Sequence, residues 1–385
     1  MHTTEGWIAA WGNAISIRPR RPENYGRNLT LRYPVTMMFD GTALRVTLDN
    51  FCGTQPVTVS RVYAAKSAEK ADIVPETNTQ VLFGGRPEVT IPAGGSVQSD
   101  AVPLSFSRGE RIAVSMYFAD FTELRSSVNI TGPLSGGYFS VGDFAASESL
   151  PLDATNNTNW YYFLSGIDAR TDASHRAIVC YGDSITAQAW PDYLIQRVLE
   201  QGDGTVSIIR KAASGSRILR QYDNIVYASY GLRGEVRFPH EVPNPGADTV
   251  IIQQGINDII HPVGVDVNPF RPWSDMPTAE DLIEGMRRYI AWAKSFGMRV
   301  YLGTLLPIEG WRTYAPFRDK LRQEFNNWMR RTDEADGCID FDKALRDQVY
   351  PTRFAEGYDS GDHLHPSQEA YRKMAELIPE ELLHR

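Results

Sequence analysis

The apolar spacing of this chain changes once, near residue 170, and that change limits what each side of it can fold into. From residue 7 to 168 apolar side chains recur mostly at every second position, the spacing of strands with one buried face. Strand-like runs fall at 28–38, 43–48, 57–65, 79–83, 88–91, 96–101, 111–118, 126–130 and 159–164. Turn clusters such as Gly84-Gly85-Arg86-Pro87 and Pro92-Ala93-Gly94-Gly95 separate them. Asp40-Gly41, between the first two runs, has the chemistry of a tight hairpin turn. Short strands at this spacing predict an N-terminal β-sandwich of the jelly-roll kind over residues 1–170.

Residues 171–175 are small and polar and read as a linker. Beyond them strand and helix patterns alternate. Strands are predicted at 177–181, 206–211, 249–253, 299–304 and 338–341. Of the helices between them, the clearest opens at Thr278 and Asp281, a capping box with Asp in the acidic position. Leu282, Ile283, Met286, Tyr289, Ile290 and Ala293 then share a face, and Gly297 ends it. A second helix is expected over 316–331. A third is expected over 366–383, with Pro366 in its first turn. Residues 176–385 are therefore expected to form an α/β/α, flavodoxin-like domain around a five-stranded parallel sheet in the order 2-1-3-4-5. Ligands bind such sheets at the crevice above strand one.

The first strand ends in a stretch that singles itself out. Ala177-Ile178-Val179-Cys180-Tyr181 is apolar, and Gly182-Asp183-Ser184 turns directly into an amphipathic segment. Ser184 then lies at the carboxyl edge of the sheet, where its hydroxyl can act as a nucleophile if a base is in reach. It can equally be an ordinary helix cap. The turns beside it contain Lys211-Ala212-Ala213-Ser214-Gly215-Ser216 after strand two and Gln253-Gln254-Gly255-Ile256-Asn257-Asp258 after strand three. Asp359-Ser360-Gly361-Asp362-His363-Leu364-His365-Pro366 lies near the C-terminus.

Taken in order, these four blocks resemble the signature of the SGNH, or GDSL, hydrolase superfamily. Ser214 departs from the more usual pattern before the glycine of the second block. The stretches at 44–51 and 83–87 also look similar to sandwich domains that precede the catalytic domain in some bacterial members. The resemblance implies Ser184 as nucleophile, His365 as general base and Asp362 as its partner. It implies an oxyanion hole made by the backbone N–H groups of Ser184 and Gly215 and the side chain of Asn257. Asp and His three residues apart on one turn can face the same way, which suits a carboxylate orienting an imidazole. Each residue also has a plainer reading: Gly215 as a turn glycine, Asn257 as an Asx-turn residue, and 362–365 as a surface turn capping the last helix. His363 is a second imidazole that could serve as base if the turn is aimed differently. Asp183 is expected to brace the turn. A metal site from Asp362, His363 and His365 lacks a supporting ligand cluster, and no cofactor is expected.

The resemblance implies ester hydrolysis. The expected substrate is an O-acetylated, plant-type oligosaccharide, since a sandwich accompanies this hydrolase in carbohydrate esterases. Phe270, Arg271, Pro272 and Trp273, in the loop after Asn257, could stack on a sugar. Alternatives are a lipase or thioesterase acting on other short acyl esters, or a glycan-binding protein without catalysis. The net charge of −8 and the lack of a basic aromatic patch exclude a nucleic-acid partner, and no window is apolar enough to span a bilayer. The three cysteines are far apart, with Cys180 and Cys338 expected as small core residues of strands. With a start that does not resemble a signal peptide, they suggest a reducing, cytoplasmic setting. Secretion after removal of a signal is the alternative. Oligomeric state is not legible.

Overall fold

The computed structural model describes residues 4–19, 25–151, 156–264 and 268–384. The opening tripeptide and residues 265–267 of the loop after Asn257, both used above, lie outside these.

The N-terminal half forms two main antiparallel sheets. One orders its strands as Glu5–Gly12, Leu164–Asp172, Ala43–Asp49 and Ser96–Gln98. The other runs Asn157–Thr158, Gly137–Val141, Leu29–Thr36, Arg111–Phe118, Arg61–Lys66 and Thr79–Val81. Leu44, Val46 and Ile167 from the first sheet share one buried cluster with Leu31, Val62 and Val114 from the second. This is the packing that period-two strands require.

Three expectations for this half need correction. Asp40-Gly41 does not close a hairpin. Leu29–Thr36 pairs with Arg111–Phe118 and Gly137–Val141, whereas Ala43–Asp49 pairs with Leu164–Asp172 and Ser96–Gln98. The segment between them crosses from one sheet to the other, burying Met37, Met38 and Phe39 on the way. The predicted linker is strand in its first two residues: Thr171 and Asp172 pair with Gly6 and Glu5, leaving only residues 173–175 as the turn before the next strand. The 159–164 run is broken at Phe163, whose φ is +61°, into Trp160–Tyr162 and Leu164–Asp172. Glu5–Gly12 and Gly137–Val141 went unpredicted.

The C-terminal half has a five-stranded parallel sheet ordered Val206–Ala212, Arg176–Gly182, Ala247–Gln253, Arg299–Gly303 and Gly337–Ile339. In chain order this is 2-1-3-4-5, as expected. Val179, Ile209, Ile251 and Val300 are fully buried between helices on its two faces. The capping box at Thr278 and Asp281 is present and opens the Ala279–Ser295 helix. Gly297 (φ +76°) follows its end. The second expected helix is Pro316–Met329. The last is shorter than predicted, Gln368–Glu376. Ser367 caps it through the Ala370 N–H, so Pro366 lies before the cap. The fifth strand stops at Ile339, and Cys338 is exposed rather than buried. Cys180 is buried in the first strand.

The halves adjoin along the edge of the parallel sheet. Ala9 accepts a hydrogen bond from Ser207 Oγ (2.6 Å) and donates its N–H to the Pro245 carbonyl (2.8 Å). No helix among the described residues is long and apolar enough to cross a membrane.

Candidate active site

The first strand delivers Ser184 to the carboxyl edge of the sheet. Gly182 is required at the turn: a Cβ there would lie 2.4 Å from Thr186 Oγ1 and 2.5 Å from the Gln253 carbonyl oxygen. Asp183 caps the short Ser184–Ala187 helix by accepting the Ile185 N–H (3.1 Å). Ser184 is thus the first helical residue, and its own N–H has no intrahelical acceptor. Asp183 is fully buried, and its Oδ2 has no partner among the described residues. Burial pushes its carboxyl up to about 7, and nearby Asp258 adds to the rise against the Ile185 N–H and Arg237.

The C-terminal turn brings an imidazole to this hydroxyl. Ser184 Oγ lies 2.9 Å from His365 Nε2, and His365 Nδ1 lies 2.6 Å from Asp362 Oδ2. The other oxygen, Oδ1, accepts the N–H groups of Leu364 (2.9 Å) and His365 (2.8 Å), so one carboxylate shapes the turn and aims the ring. Burial raises the Asp362 carboxyl, but hydrogen bonds from the His365 ring, the His365 N–H and the Leu364 N–H outweigh it and hold it at about 2. An ionised carboxylate only accepts. Nδ1 therefore carries a ring hydrogen, and in the neutral imidazole Nε2 is the atom that can accept from the serine hydroxyl.

His363 is not aimed this way. Its Nδ1 lies 2.5 Å from Asp359 Oδ2, its φ is +64°, and its ring sits against Gly310. The turn therefore holds two Asp–His pairs, and only the second meets Ser184.

The turn after strand two is tied to both neighbours. Ala213 donates its N–H to the Gly182 carbonyl (3.1 Å), and Asn257 Nδ2 donates to the Ser216 carbonyl (3.1 Å). Gly215 (φ +79°) lies under the Tyr230 ring, where a Cβ would meet ring carbons at 2.4 Å. Asn257 is buried on the short Ile256–Ile260 helix.

Several residues of this arrangement escaped the sequence reading. Asp258 accepts the N–H groups of Ile218 (2.9 Å) and Leu219 (3.0 Å), bracing the second turn from the third. Burial pushes it up to about 6 against Arg217 and those N–H groups. Ser216 Oγ receives Arg237 Nη1 (2.7 Å) and Gln254 Nε2 (2.9 Å). Tyr230 stacks on His261 at 4.5 Å between ring centroids. Asp258 was visible as the neighbour of Asn257; Arg237 and Tyr230 had no local signal. Among the described residues no group of three His, Cys, Asp or Glu side chains could hold a metal ion.

In the segments that follow strands two and three, Ile225, Val226, Phe270 and Trp273 are exposed, as is Phe317 at the start of the Pro316–Met329 helix. Trp273 rests edge-on against Phe317 (5.6 Å), with the Arg318 guanidinium over both rings.

Against known proteins, residues 180–373 match the model of the GDSL-like lipase/acylhydrolase family. Solved structures similar to this chain include a catalytic mutant of an acetylxylan esterase from Geobacillus stearothermophilus. It is 18% identical, with 55% of this chain and 97% of that chain covered and a TM-score of 0.40. A GDSL-like lipase from Bacteroides thetaiotaomicron is 16% identical, with 54% and 87% covered and a TM-score of 0.37. An alpha/beta hydrolase from the Lake Arreo metagenome is 16% identical, with 52% and 92% covered and a TM-score of 0.40. No curated protein matched.

Proposed function

Since the chain belongs to the GDSL-like lipase/acylhydrolase family, we propose that it is a serine esterase working through an acyl-enzyme on Ser184, and that its substrate is an O-acetylated carbohydrate. The observation that carries the mechanism is the contact series Ser184 Oγ, His365 Nε2, His365 Nδ1, Asp362 Oδ2, at 2.9 and 2.6 Å.

In the proposed reaction His365 Nε2 takes the hydroxyl proton as Ser184 Oγ attacks the ester carbon. The carbonyl oxygen becomes an oxyanion, which the N–H groups of Ser184 and Gly215 and the Asn257 amide would stabilise because they need no reorganisation. The intermediate collapses, the C–O bond to the alcohol breaks, and His365 passes its proton to the departing oxygen. Water then attacks the acyl group. His365 takes the water's proton and returns it to Ser184 as the acid leaves. Asp362, ionised throughout, stabilises the imidazolium.

Half-exposed Trp273 beside exposed Phe317 supports the carbohydrate reading, since an exposed aromatic ring can stack on a sugar face. The same loops favour a second reading. Ile225, Val226 and Phe270 are also exposed, with Asn224 Nδ2 donating to the Phe270 carbonyl (3.1 Å), and exposed apolar side chains suit a longer acyl chain. Acetate release from acetylated xylo-, manno- and pectic oligosaccharides, measured beside p-nitrophenyl esters of rising chain length, separates the two. Preference for long chains with no acetate release would defeat the carbohydrate reading. Turnover retained by Ser184→Ala would defeat the mechanism.

A further inference from the structure

The turn carrying Gly215 is held by atoms of the N-terminal sandwich. Lys211, the penultimate residue of the strand feeding this turn, is buried. Its ammonium donates to the backbone carbonyls of Asn13 (2.9 Å) and Ser165 (3.0 Å), both in the sandwich half. The carboxylates near it are Glu241 on its own half and Asp49 and Asp168 on the other. They line with it a polar cavity of about 150 Å³ between the halves.

A second tie runs through the Gly234–Glu241 helix. Arg237 holds Ser216 Oγ at 2.7 Å and Glu241 at 2.7 Å. One turn away, His240 Nε2 lies 2.8 Å from Asp49 Oδ2 and its ring stacks on Phe51 at 3.7 Å. A third is steric: Gly231, directly after Tyr230, sits against Ser16, where a Cβ would meet Ser16 Oγ at 2.6 Å. Tyr230 in turn lies on Gly215. The turn is therefore gripped at its base through Lys211, at Ser216 through Arg237 and over Gly215 through Tyr230, and each grip leads back to the sandwich.

A buried ammonium is costly unless its partners are fixed. A methionine of similar length would fill the same space without charge, so simple packing gives no reason for lysine here. We infer that the sandwich is a working part of the active site, and that Lys211 is a positioning residue holding the Gly215 N–H where the oxyanion forms. This rests on the esterase reading above, in which Gly215 is an oxyanion donor. Misplacing a donor by a fraction of an ångström weakens the transition state more than the bound ester.

The test compares full-length wild type, Ser184→Ala, Lys211→Met and His240→Ala on p-nitrophenyl acetate, with inhibition by phenylboronic acid, which forms a tetrahedral adduct on a serine Oγ. For Lys211→Met, kcat is expected to fall by about tenfold or more with KM within about twofold, and boronate affinity to fall in step with kcat/KM. His240→Ala is expected to move the same quantities in the same direction by less. A kcat and boronate affinity within about twofold of wild type for both variants would overturn the inference, whatever happened to their melting temperatures. A loss confined to KM with boronate affinity unchanged would overturn it too. If Lys211→Met does not fold, His240→Ala decides by the same criteria. Turnover retained by Ser184→Ala is a different failure: it removes the esterase reading itself, and this inference with it.

Discussion

Ser184 Oγ and His365 Nε2 are 2.9 Å apart although 181 positions separate them in the chain. The contact brings the end of the first parallel strand onto the turn before the last helix. It also distinguishes the two imidazoles of that turn, because His363 is paired with Asp359 instead. His365→Gln is therefore expected to lower kcat by roughly 10⁴–10⁶-fold. His363→Gln, which removes an exposed pair, should stay within roughly threefold of wild type. Steady-state ester hydrolysis by the two variants checks this, and equal losses would contradict the assignment.

Asp362→Asn keeps the shape of the side chain but replaces an acceptor with a donor facing His365 Nδ1. The ring is then favoured in the tautomer that places its hydrogen toward Ser184. A loss of roughly 10⁴-fold in kcat is expected. The carboxyl is held at about 2, so it stays ionised from weakly acidic pH upward. The loss should accordingly be present in full at pH 8, where steady-state ester hydrolysis by wild type and variant measures it. A kcat within about tenfold of wild type at that pH would contradict the role of Asp362.

Asn257→Ala removes the proposed side-chain donor to the oxyanion and also the donor to the Ser216 carbonyl. Loss of one such donor corresponds to roughly 10²–10³-fold in kcat. KM should change little, because the donor acts on charge that is absent from the bound ester. Steady-state kinetics on a short-chain ester measures the split, and a defect carried by KM alone would count against the role.

Asp183→Asn tests a buried acid. The native carboxyl is raised to about 7 by burial, with Asp258 adding to it, against an unfolded value near 4. Below about pH 4 both states are protonated and the group costs nothing. As pH rises from about 4 to 7 the unfolded chain gives up this proton while the native one keeps it, so wild-type stability falls; above 7 the cost is constant. Asn escapes that cost. The variant should be more stable than wild type at pH 8, by up to about 4 kcal/mol, with the gap closing toward pH 4. Chemical denaturation across this range reads it, and a gap independent of pH would refute the buried-acid account.

Gly215→Ala is expected to be strained twice over. Its φ of +79° disfavours a side chain, and its Cβ would strike the Tyr230 ring. A loss of roughly 1–3 kcal/mol in stability is expected, with kcat falling as the turn shifts. A melting curve and kinetics on the same preparation check both.

The second half of the molecule was legible because its signals are local. Buried parallel strands read as continuous apolar runs, the capping box at Thr278 is four residues long, and right-handed crossovers leave few ways to order five strands. Ser184, Asn257, Asp362 and His365 could be picked out because each stands in a short block at a strand end or before a helix. Cys338 misled because one residue at the rim of a short last strand carries no periodicity.

The sandwich was legible only as strands. Asp40-Gly41 has the chemistry of a hairpin turn, yet Leu29–Thr36 finds its partners at Arg111–Phe118 and Gly137–Val141. A turn dipeptide acts on its neighbours alone, whereas strand pairing depends on which apolar faces can be buried together. The same limit hid Lys211, Arg237 and Tyr230. Each would pass for a surface residue on a strand end, a helix or a loop, yet Lys211 and Arg237 are buried and Tyr230 half-buried because another part of the chain covers them. The amino-acid order by itself determined the elements and the chemical groups at their ends, since propensity, capping and turn geometry act over a few residues. Which groups meet, which imidazole faces the serine and what holds the Gly215 turn were decided only by tertiary packing, because burial and charge pairing act between residues that the chain keeps far apart.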